Sequence, residues 1–270
     1  MSSFESLVGY INNLPPLPES VQKIQALYSQ DDLEVSKLVK LIESDPILTA
    51  DILARVNSPL YSFSKNIVSI NQAVTLFGLA TIRGFVLSSA MNQTLELDMR
   101  PYNISNDEFS KVCNLQSALM FQWYLSVDIE HVKFLAPIAF LMEVGKVIIS
   151  TEVNHSAYTK LFQDELKQTE RVQDVEGMFT DMTSAKIGAL LFEHWYFDES
   201  FIVTMQYLDD IENAPEHVKV YINALNVVRT AVSINDQLTD SSIEAARQMV
   251  KELGLNEERF IKTAMRLQEK

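Results

Sequence analysis

The sequence has few of the residues that mark turn-rich or disulfide-linked folds. Its 270 residues include one cysteine, seven glycines and eight prolines. The single cysteine, Cys113, can form no internal disulfide, which is typical of a protein in a reducing compartment. Because glycine and proline are the main residues of turns, their scarcity favours helices over a β-rich architecture.

Basic residues and long uncharged apolar runs are also scarce. The 22 lysines and arginines stand against 36 aspartates and glutamates, a net charge of −14. A field of this sign repels phosphate backbones, so we expect no direct nucleic-acid binding. No stretch resembles a signal peptide, and none has the roughly 20 largely uncharged residues of a membrane span. We therefore expect a cytoplasmic protein that does not associate with a membrane.

What the sequence does contain is apolar residues at helical spacing between clear helix ends. Asp45 is suited to cap a helix, and Pro46 to occupy its first position, where the missing N–H costs nothing. The helix should stop at Asn57-Ser58-Pro59, because proline pushes the residue before it out of the helical region and Asn tolerates left-handed geometry. These signals predict a tight turn after the helix.

Further start and stop signals follow the same pattern along the chain. Ser69 should cap a helix that Gly78 closes, and Ser105 with Glu108 forms a capping box for a long helix. With 47% hydrophobic residues, the chain can bury one large core or two small ones. The sequence therefore predicts an all-α protein.

The stretch from Ala136 to Ser150 is apolar all round and is predicted to be a buried helix. It places Glu143 and Lys146 in the interior, where an unpaired charge is costly. We expect Glu143 to pair with Lys146 or with a hydroxyl such as Ser117. The absent side chain of Gly145 should let another helix approach closely. This pattern allows two interpretations: a core helix with one paired carboxylate, or a working ligand site.

Four segments in order over about 65 residues resemble the signature of the HDOD family, the HD-related output domains of bacterial signalling proteins. They are Leu14–Pro18, Ile42–Ala50, Val56–Tyr61 and Ile70–Gly78. The similarity continues to about Asp209, through a segment containing Gly188 that resembles the HDOD helix ending in a tryptophan. The resemblance implies a two-lobed helical fold: an N-terminal helical bundle over 1–100, and an HD-like bundle with a helical extension over 101–270.

The segment from Leu141 to Lys146 resembles the Leu-His-Asp-Ile-Gly-Lys segment of HD phosphohydrolases, whose His and Asp ligate a catalytic metal. Met142 stands in place of that His and Glu143 in place of the Asp. Gln116 falls where a first metal-binding His is implied, and Asp209 falls in the region of a His-His pair. Thioether and amide groups are poor substitutes for imidazole. We expect no metal and no cofactor at this vestigial site, whose candidate residues are Gln116, Met142, Glu143, Lys146 and Asp209.

The resemblance implies a non-catalytic regulatory module that acts on signalling proteins in trans, in processes such as motility, chemotaxis or stress output. A small ligand could be sensed in the vestigial cleft. The alternative is a divergent metal-dependent phosphohydrolase built from Glu143, Asp209 and Gln116, since two carboxylates can hold Mg²⁺ through its waters. The sequence favours the regulatory module, because activating a water near neutral pH needs a firmly held metal.

Overall fold

The structure is a computed structural model that describes residues 3–28, 33–61, 66–169 and 171–269. Within these ranges the ordered elements are α-helices and short 3₁₀ turns, with no β-structure beyond one isolated bridge between Val232 and Gln237. The predicted all-α class is therefore confirmed. In chain order the helices are α1 (Ser3–Asn12), α2 (Glu19–Tyr28), α3 (Val35–Glu43), α4 (Pro46–Val56), α5 (Ile70–Thr94), α6 (Asn106–Tyr124), α7 (Ile129–Leu141), α8 (Val144–Asn154), α9 (Thr159–Leu166), α10 (Val172–Thr180), α11 (Ser184–His194), α12 (Glu199–Gln206), α13 (Glu216–Ala231), α14 (Asp240–Glu252) and α15 (Glu257–Gln268).

The start of α4 follows from its first two residues. The Asp45 carboxylate accepts hydrogen bonds from the backbone N–H groups of Ile47 at 3.1 Å and Leu48 at 3.0 Å. Pro46 occupies the first helical position, so its missing donor leaves no bond unmade. The predicted cap is confirmed.

The end of α4 differs from the prediction in the role of Asn57. Its φ of −90° and ψ of 1° are not left-handed, so tolerance of that geometry is not why Asn stands here. Its side chain instead donates to the carbonyls of Leu53 and Ile67, both at 2.8 Å, and accepts from the Ile67 N–H at 2.8 Å. Asn57 thus fastens the segment before α5 to the end of α4, while Pro59 opens a short 3₁₀ turn.

Helix α5 is two helical segments joined at a sharp bend. Ser69 caps it by accepting from the Gln72 N–H, and Gly78 interrupts it at φ 78° and ψ 161°, so both predicted ends are confirmed. The segments Ile70–Leu79 and Thr81–Thr94 meet at 109°. Because non-glycine residues rarely adopt this conformation, Gly78 allows the chain to turn the second segment across the protein.

We predicted one buried helix from Ala136 to Ser150, and this is wrong. The stretch instead contains the end of α7, a turn and most of α8. Met142 and Glu143 form the turn between them, which places Lys146 one turn into α8. A Cβ on Gly145 would lie 1.9 Å from the carbonyl oxygen of Ser184, so α8 lies in backbone contact with the start of α11. A Cβ on Gly188 would lie 2.9 Å from Met205 Cε, so α11 is similarly close to α12.

The two halves of the chain share a continuous core. The second segment of α5 packs against α7, where a Cβ on Gly84 would lie 2.4 Å from the Cβ of Pro137. Helix α1 packs against α8, α10 and α11, with Leu7 and Ile11 buried. We assigned α1 to the first lobe because it lies at the start of the sequence. Its residues nevertheless contact helices of the C-terminal half. The boundary near residue 100 stays a prediction.

Within the described ranges, no single helix has both the length and the apolar character needed to cross a membrane. The two segments of α5 would satisfy those criteria only together, and they are bent by 109°.

Replacing Gly78 by alanine should isolate the cost of this backbone conformation. A Cβ at Gly78 would have no heavy atom within 4 Å, and the same holds at Gly9 inside α1. We expect Gly78→Ala to lower the free energy of unfolding by about 1–3 kcal/mol through strain. Gly9→Ala, the matched control, should raise it by about 0.5–1 kcal/mol because alanine favours a helix. Urea denaturation measures both, and equal effects would contradict the assigned role of Gly78.

Candidate functional site

The candidate site is centred on Glu143 in the turn between α7 and α8. Its carboxylate is only 2% exposed and contacts two cations. Glu143 Oε2 lies 2.8 Å from Lys146 Nζ, and Glu143 Oε1 lies 3.3 Å from Nε of Arg229 on α13. The buried carboxylate is therefore paired twice, once within its own corner and once with an arginine 86 residues away in the sequence.

Lys146 links Glu143 to a second buried carboxylate, Glu176 on α10. Its ammonium lies 3.1 Å from Glu176 Oε1 and donates to the hydroxyl of Ser184 at 2.9 Å. Glu176 is fully buried, and it accepts hydrogen bonds from the Tyr102 hydroxyl at 3.1 Å and the Ser184 N–H at 2.7 Å. Every charge in this part of the site thus has partners within hydrogen-bonding distance.

Arg229 completes the arrangement by holding a third carboxylate. Its guanidinium lies 2.6 Å from Asp209 Oδ1, and both side chains are mostly buried. We call Glu143, Lys146, Glu176, Asp209 and Arg229 the ion cluster. Three carboxylates and two cations leave it with a net charge of −1. It joins the corner before α8 to α10, α13 and the segment after α12.

The electrostatics keep four members of the ion cluster, Glu143, Lys146, Asp209 and Arg229, charged at neutral pH. Burial alone would raise the pKa of Glu143, but Lys146 and Arg229 outweigh it and lower that pKa to about 2. Burial would likewise raise the pKa of Asp209, and Arg229 lowers it. The pKa values of Lys146 and Arg229 are raised, because Glu143 and neighbouring carboxylates outweigh the burial that would lower them. These groups act as fixed charges rather than as proton donors or acceptors near pH 7.

One side of the ion cluster faces a cavity of about 710 Å³. Glu143, Lys146, Asp209 and Arg229 line it, together with polar side chains of the 233–236 loop. This volume lies within the usual range of about 300–1,000 Å³ for small-molecule sites. The site can therefore offer a polar ligand both acceptors and donors.

The structure brings together most, but not all, of the residues proposed from the sequence. Gln116 donates through Nε2 to Glu143 Oε1 at 3.1 Å and to the carbonyl of Val232 at 2.9 Å. Met142 is fully buried and, among the described residues, is not part of the cavity lining. Ser117 is not a partner of Glu143, as one alternative held, because it donates to the Ala136 carbonyl at 3.1 Å.

Three site residues were missed from the sequence: Tyr102, Glu176 and Arg229. Glu176 lies in the stretch 151–177, which is mostly polar and shows little overall periodicity. Its neighbours Val172, Val175 and Phe179 nevertheless recur at helical spacing, which places position 176 beside the apolar face. Arg229 ends an amphipathic helix, where a basic residue is ordinarily assigned to the helix dipole. Nothing in the sequence pointed to Tyr102.

The donor set does not fit the divalent metal that the HD resemblance implies. Gln116 presents its N–H group to Glu143, whereas a metal ligand would have to present oxygen. The carboxylates of Glu143 and Asp209 already contact cations of the protein. Among the described residues, no group of three or more His, Cys, Asp or Glu is arranged to hold a metal ion. We derive no catalytic step through a metal at this site.

Comparison with known proteins places this geometry in a family. The model of the HDOD domain matches residues 14–211. An uncharacterised protein of Treponema pallidum (strain Nichols) is 23% identical over 235 residues, which is 86% of this chain and 44% of that protein. The chain thus spans less than half the length of this curated relative.

Two solved structures share the fold over nearly the whole chain. A virulence factor from Campylobacter jejuni subsp. jejuni is 27% identical, with a TM-score of 0.60 over 99% of this chain and 96% of that one. An HDOD domain protein of unknown function from Geobacter sulfurreducens is 18% identical, with a TM-score of 0.70 over 99% and 96% of the two chains. The HDOD resemblance and the helical HDOD fold are therefore confirmed.

Removing the central carboxylate should destabilise the protein. Glu143→Ala leaves Lys146 and Arg229 buried with one carboxylate each, Glu176 and Asp209. We therefore expect a loss near the lower end of the range for broken buried pairs, about 3 kcal/mol in the free energy of unfolding. Urea denaturation at pH 7 measures it, with the exposed Glu258→Ala as control. An unchanged midpoint for Glu143→Ala would show that the ion cluster does not hold Glu143 in solution.

The lowered pKa of Glu143 also predicts acid sensitivity. Its ordinary pKa is 4.5 and its folded pKa about 2, so the unfolded chain takes up the proton first as the pH falls. The stability from Glu143 is fully present above about pH 4.5 and is lost between there and pH 2. In urea titrations across this range, stability should fall less steeply in Glu143→Gln than in the wild type. Glu258→Gln should keep the wild-type slope; identical slopes in all three proteins would contradict this prediction.

Proposed function

The chain belongs to the HDOD domain family, and from this we propose that it is a non-catalytic regulatory module of bacterial signal transduction that acts through protein partners. Several features support the proposal. The net charge of −14 disfavours nucleic acid as a direct partner. The free, buried thiol of Cys113 suits a cytoplasmic location.

One observation carries the proposal: the ion cluster supplies its own cations where the HD resemblance implies a metal. Lys146 and Arg229 neutralise most of the charge of Glu143, Glu176 and Asp209 at distances of 2.6 to 3.3 Å. A hydrolase needs an open coordination position at which a water can be activated. Fixed ammonium and guanidinium groups offer no such position. The ion cluster instead holds four segments of the chain in a fixed arrangement. A surface that binds a protein partner needs its segments fixed in this way.

The cavity beside the ion cluster adds a possible route of control. Its lining offers the guanidinium of Arg229 and the hydroxyl and amide groups of Ser233 and Asn235. A small polar ligand bound here would contact both α13 and the corner before α8. We include sensing of such a ligand in the proposed function. The competing reading is a divergent phosphohydrolase, which would use the same cavity for its substrate.

A variant that lacks Arg229 tests whether a cationic side chain of the protein occupies the place of a metal ion. Arg229→Met keeps the apolar stem of the side chain but leaves Asp209 without its cation and Glu143 with Lys146 as its one cation among the described residues. We expect Mg²⁺ or Mn²⁺ at millimolar concentration to raise the Tm of Arg229→Met, because a ligand that binds only the folded state stabilises it by mass action. The Tm of the wild type and of Arg259→Met, a control at an exposed position, should not respond. A metal-dependent rise in the wild type would contradict the proposal.

Activity assays test the non-catalytic assignment directly. The wild type should not hydrolyse bis(p-nitrophenyl) phosphate or a cyclic dinucleotide in the presence of Mg²⁺ or Mn²⁺, because the described residues include no group of His, Cys, Asp or Glu that could hold a metal to activate a water. Asp209→Asn serves as the matched control for contaminating enzymes, whose activity it would leave in place. Turnover that the wild type shows and Asp209→Asn lacks would establish the hydrolase reading.

A further inference from the structure

A second cavity, separate from the ion cluster, lies where the two halves of the chain meet. Its volume is about 420 Å³, again within the range for small-molecule sites. Helices α4 and α5 form one side of it, through residues such as Ala54 and Met91. Helices α6, α7 and α8 form the other, through residues such as Phe109, Leu141 and Val147. A ligand here would contact both halves at once.

The wall of this cavity is mainly apolar, but it contains a buried arginine. The Arg55 side chain is 10% exposed, and its Nε lies 3.1 Å from Oδ2 of Asp51. Its guanidinium carbon lies 4.7 Å from the ring centroid of Phe140. Among the described residues, its two terminal amino groups have no hydrogen-bond partner. The cavity therefore presents unused charged donors beside a hydrophobic surface.

A second unsatisfied polar group lies in the same wall. Ser88 on α5 is 1% exposed and lines the cavity, and its hydroxyl has no partner within the described residues. Buried hydroxyls are nearly always hydrogen-bonded, so each exception calls for an explanation. The Ser88 hydroxyl is therefore a second donor in this wall, besides Arg55, that has no acceptor within the described residues.

The charges that line the cavity limit the kind of ligand. Arg55 and the exposed Lys111 are positive and Asp51 is negative, which leaves a net charge of +1. This balance suits a single negative charge better than a phosphate dianion. The rest of the wall includes Ser58, Asn92, Ser110 and Asn114, but most of its surface comes from Leu, Val, Met and Phe side chains, which suit a flexible hydrocarbon chain.

We propose that this cavity binds a medium-chain aliphatic carboxylate, with its head group on Arg55 and its chain between the two halves of the protein. The carboxylate would form charge-assisted hydrogen bonds with the terminal amino groups of Arg55. Because the two walls belong to different halves of the chain, occupancy would stabilise their observed arrangement. This site is distinct from the cavity of the proposed function and does not depend on it.

Decanoate, titrated into the full chain below its micellar concentration, tests the proposal by calorimetry. We expect saturable binding of one equivalent, and binding of the neutral analogue 1-decanol weaker by at least about tenfold, since hydrogen bonds to charged groups are the stronger ones. Arg55→Met, which replaces the guanidinium by an uncharged apolar side chain, should remove this preference. Equal affinity for decanol and decanoate in the wild type would overturn the assignment of the head group.

Two tryptophan substitutions locate the binding. Ala54 and Ala245 are both exposed, but Ala54 lines the cavity between the halves, whereas Ala245 lines the cavity beside the ion cluster. Ala54→Trp should abolish decanoate binding by filling the opening, and Ala245→Trp should leave it unchanged. The opposite order, or binding that survives in both variants, would place the ligand elsewhere and overturn the proposal.

Cys113 provides a readout in the wild-type protein. It is the one cysteine of the chain and lines the same cavity. Burial raises the pKa of its thiol, so alkylation should be slow. Saturating decanoate should slow the alkylation further, because the hydrocarbon chain of the ligand would cover the sulfur. An alkylation rate that decanoate leaves unchanged would count against a ligand in this cavity.

Discussion

The structure depends on the requirement that buried charges be paired. Burying an ion costs several kcal/mol, and its partners must be held within hydrogen-bonding distance to offset that cost. The ion cluster meets this requirement only because the chain turns at Met142 and Glu143. That corner brings Lys146 beside Glu143 and leaves the other carboxylate oxygen for Arg229. Helices α8, α10 and α13 are consequently fixed with respect to one another.

The same constraint explains why the site keeps buried charges although its donor set does not fit a divalent metal. Replacing a metal ligand by Gln116 would leave carboxylates buried without compensation, unless cations replaced the metal. Lys146 and Arg229 provide that compensation, and Gln116 adds a neutral donor to Glu143. The arrangement thus keeps the buried carboxylates of this HD-like lobe compensated by side chains of the protein itself.

The sequence predicted the helical class and several helix ends, because these depend on local signals. Asp45 and Ser69 cap helices through their own neighbours, and Gly78 bends the chain because only glycine readily adopts its conformation. The break at Met142 was missed because neither residue of the turn is glycine or proline and the stretch has no polar face at a helical period. Tertiary contacts decide such a corner, chiefly the backbone approach between Gly145 and Ser184.

The candidate site was predicted only in part, because some of its residues are brought together by tertiary contacts. Glu143, Lys146 and Asp209 stood out because the HDOD resemblance marks their positions. Arg229 lies outside residues 14–211, the range matched by the family model, so the resemblance could not indicate it. Its role depends on the packing of α13 against α6 and α7, a long-range contact that no local pattern encodes. Glu176 was obscured by its polar neighbours, although its helix has an apolar face.

The central claim is that cations of the protein itself balance the buried carboxylates. Elemental analysis of protein purified without chelators tests it most directly. The account predicts no divalent metal at stoichiometric level, with the ion cluster intact and the protein fully folded. One equivalent of a divalent metal, retained through gel filtration and lost from both Glu143→Gln and Asp209→Asn, would contradict it.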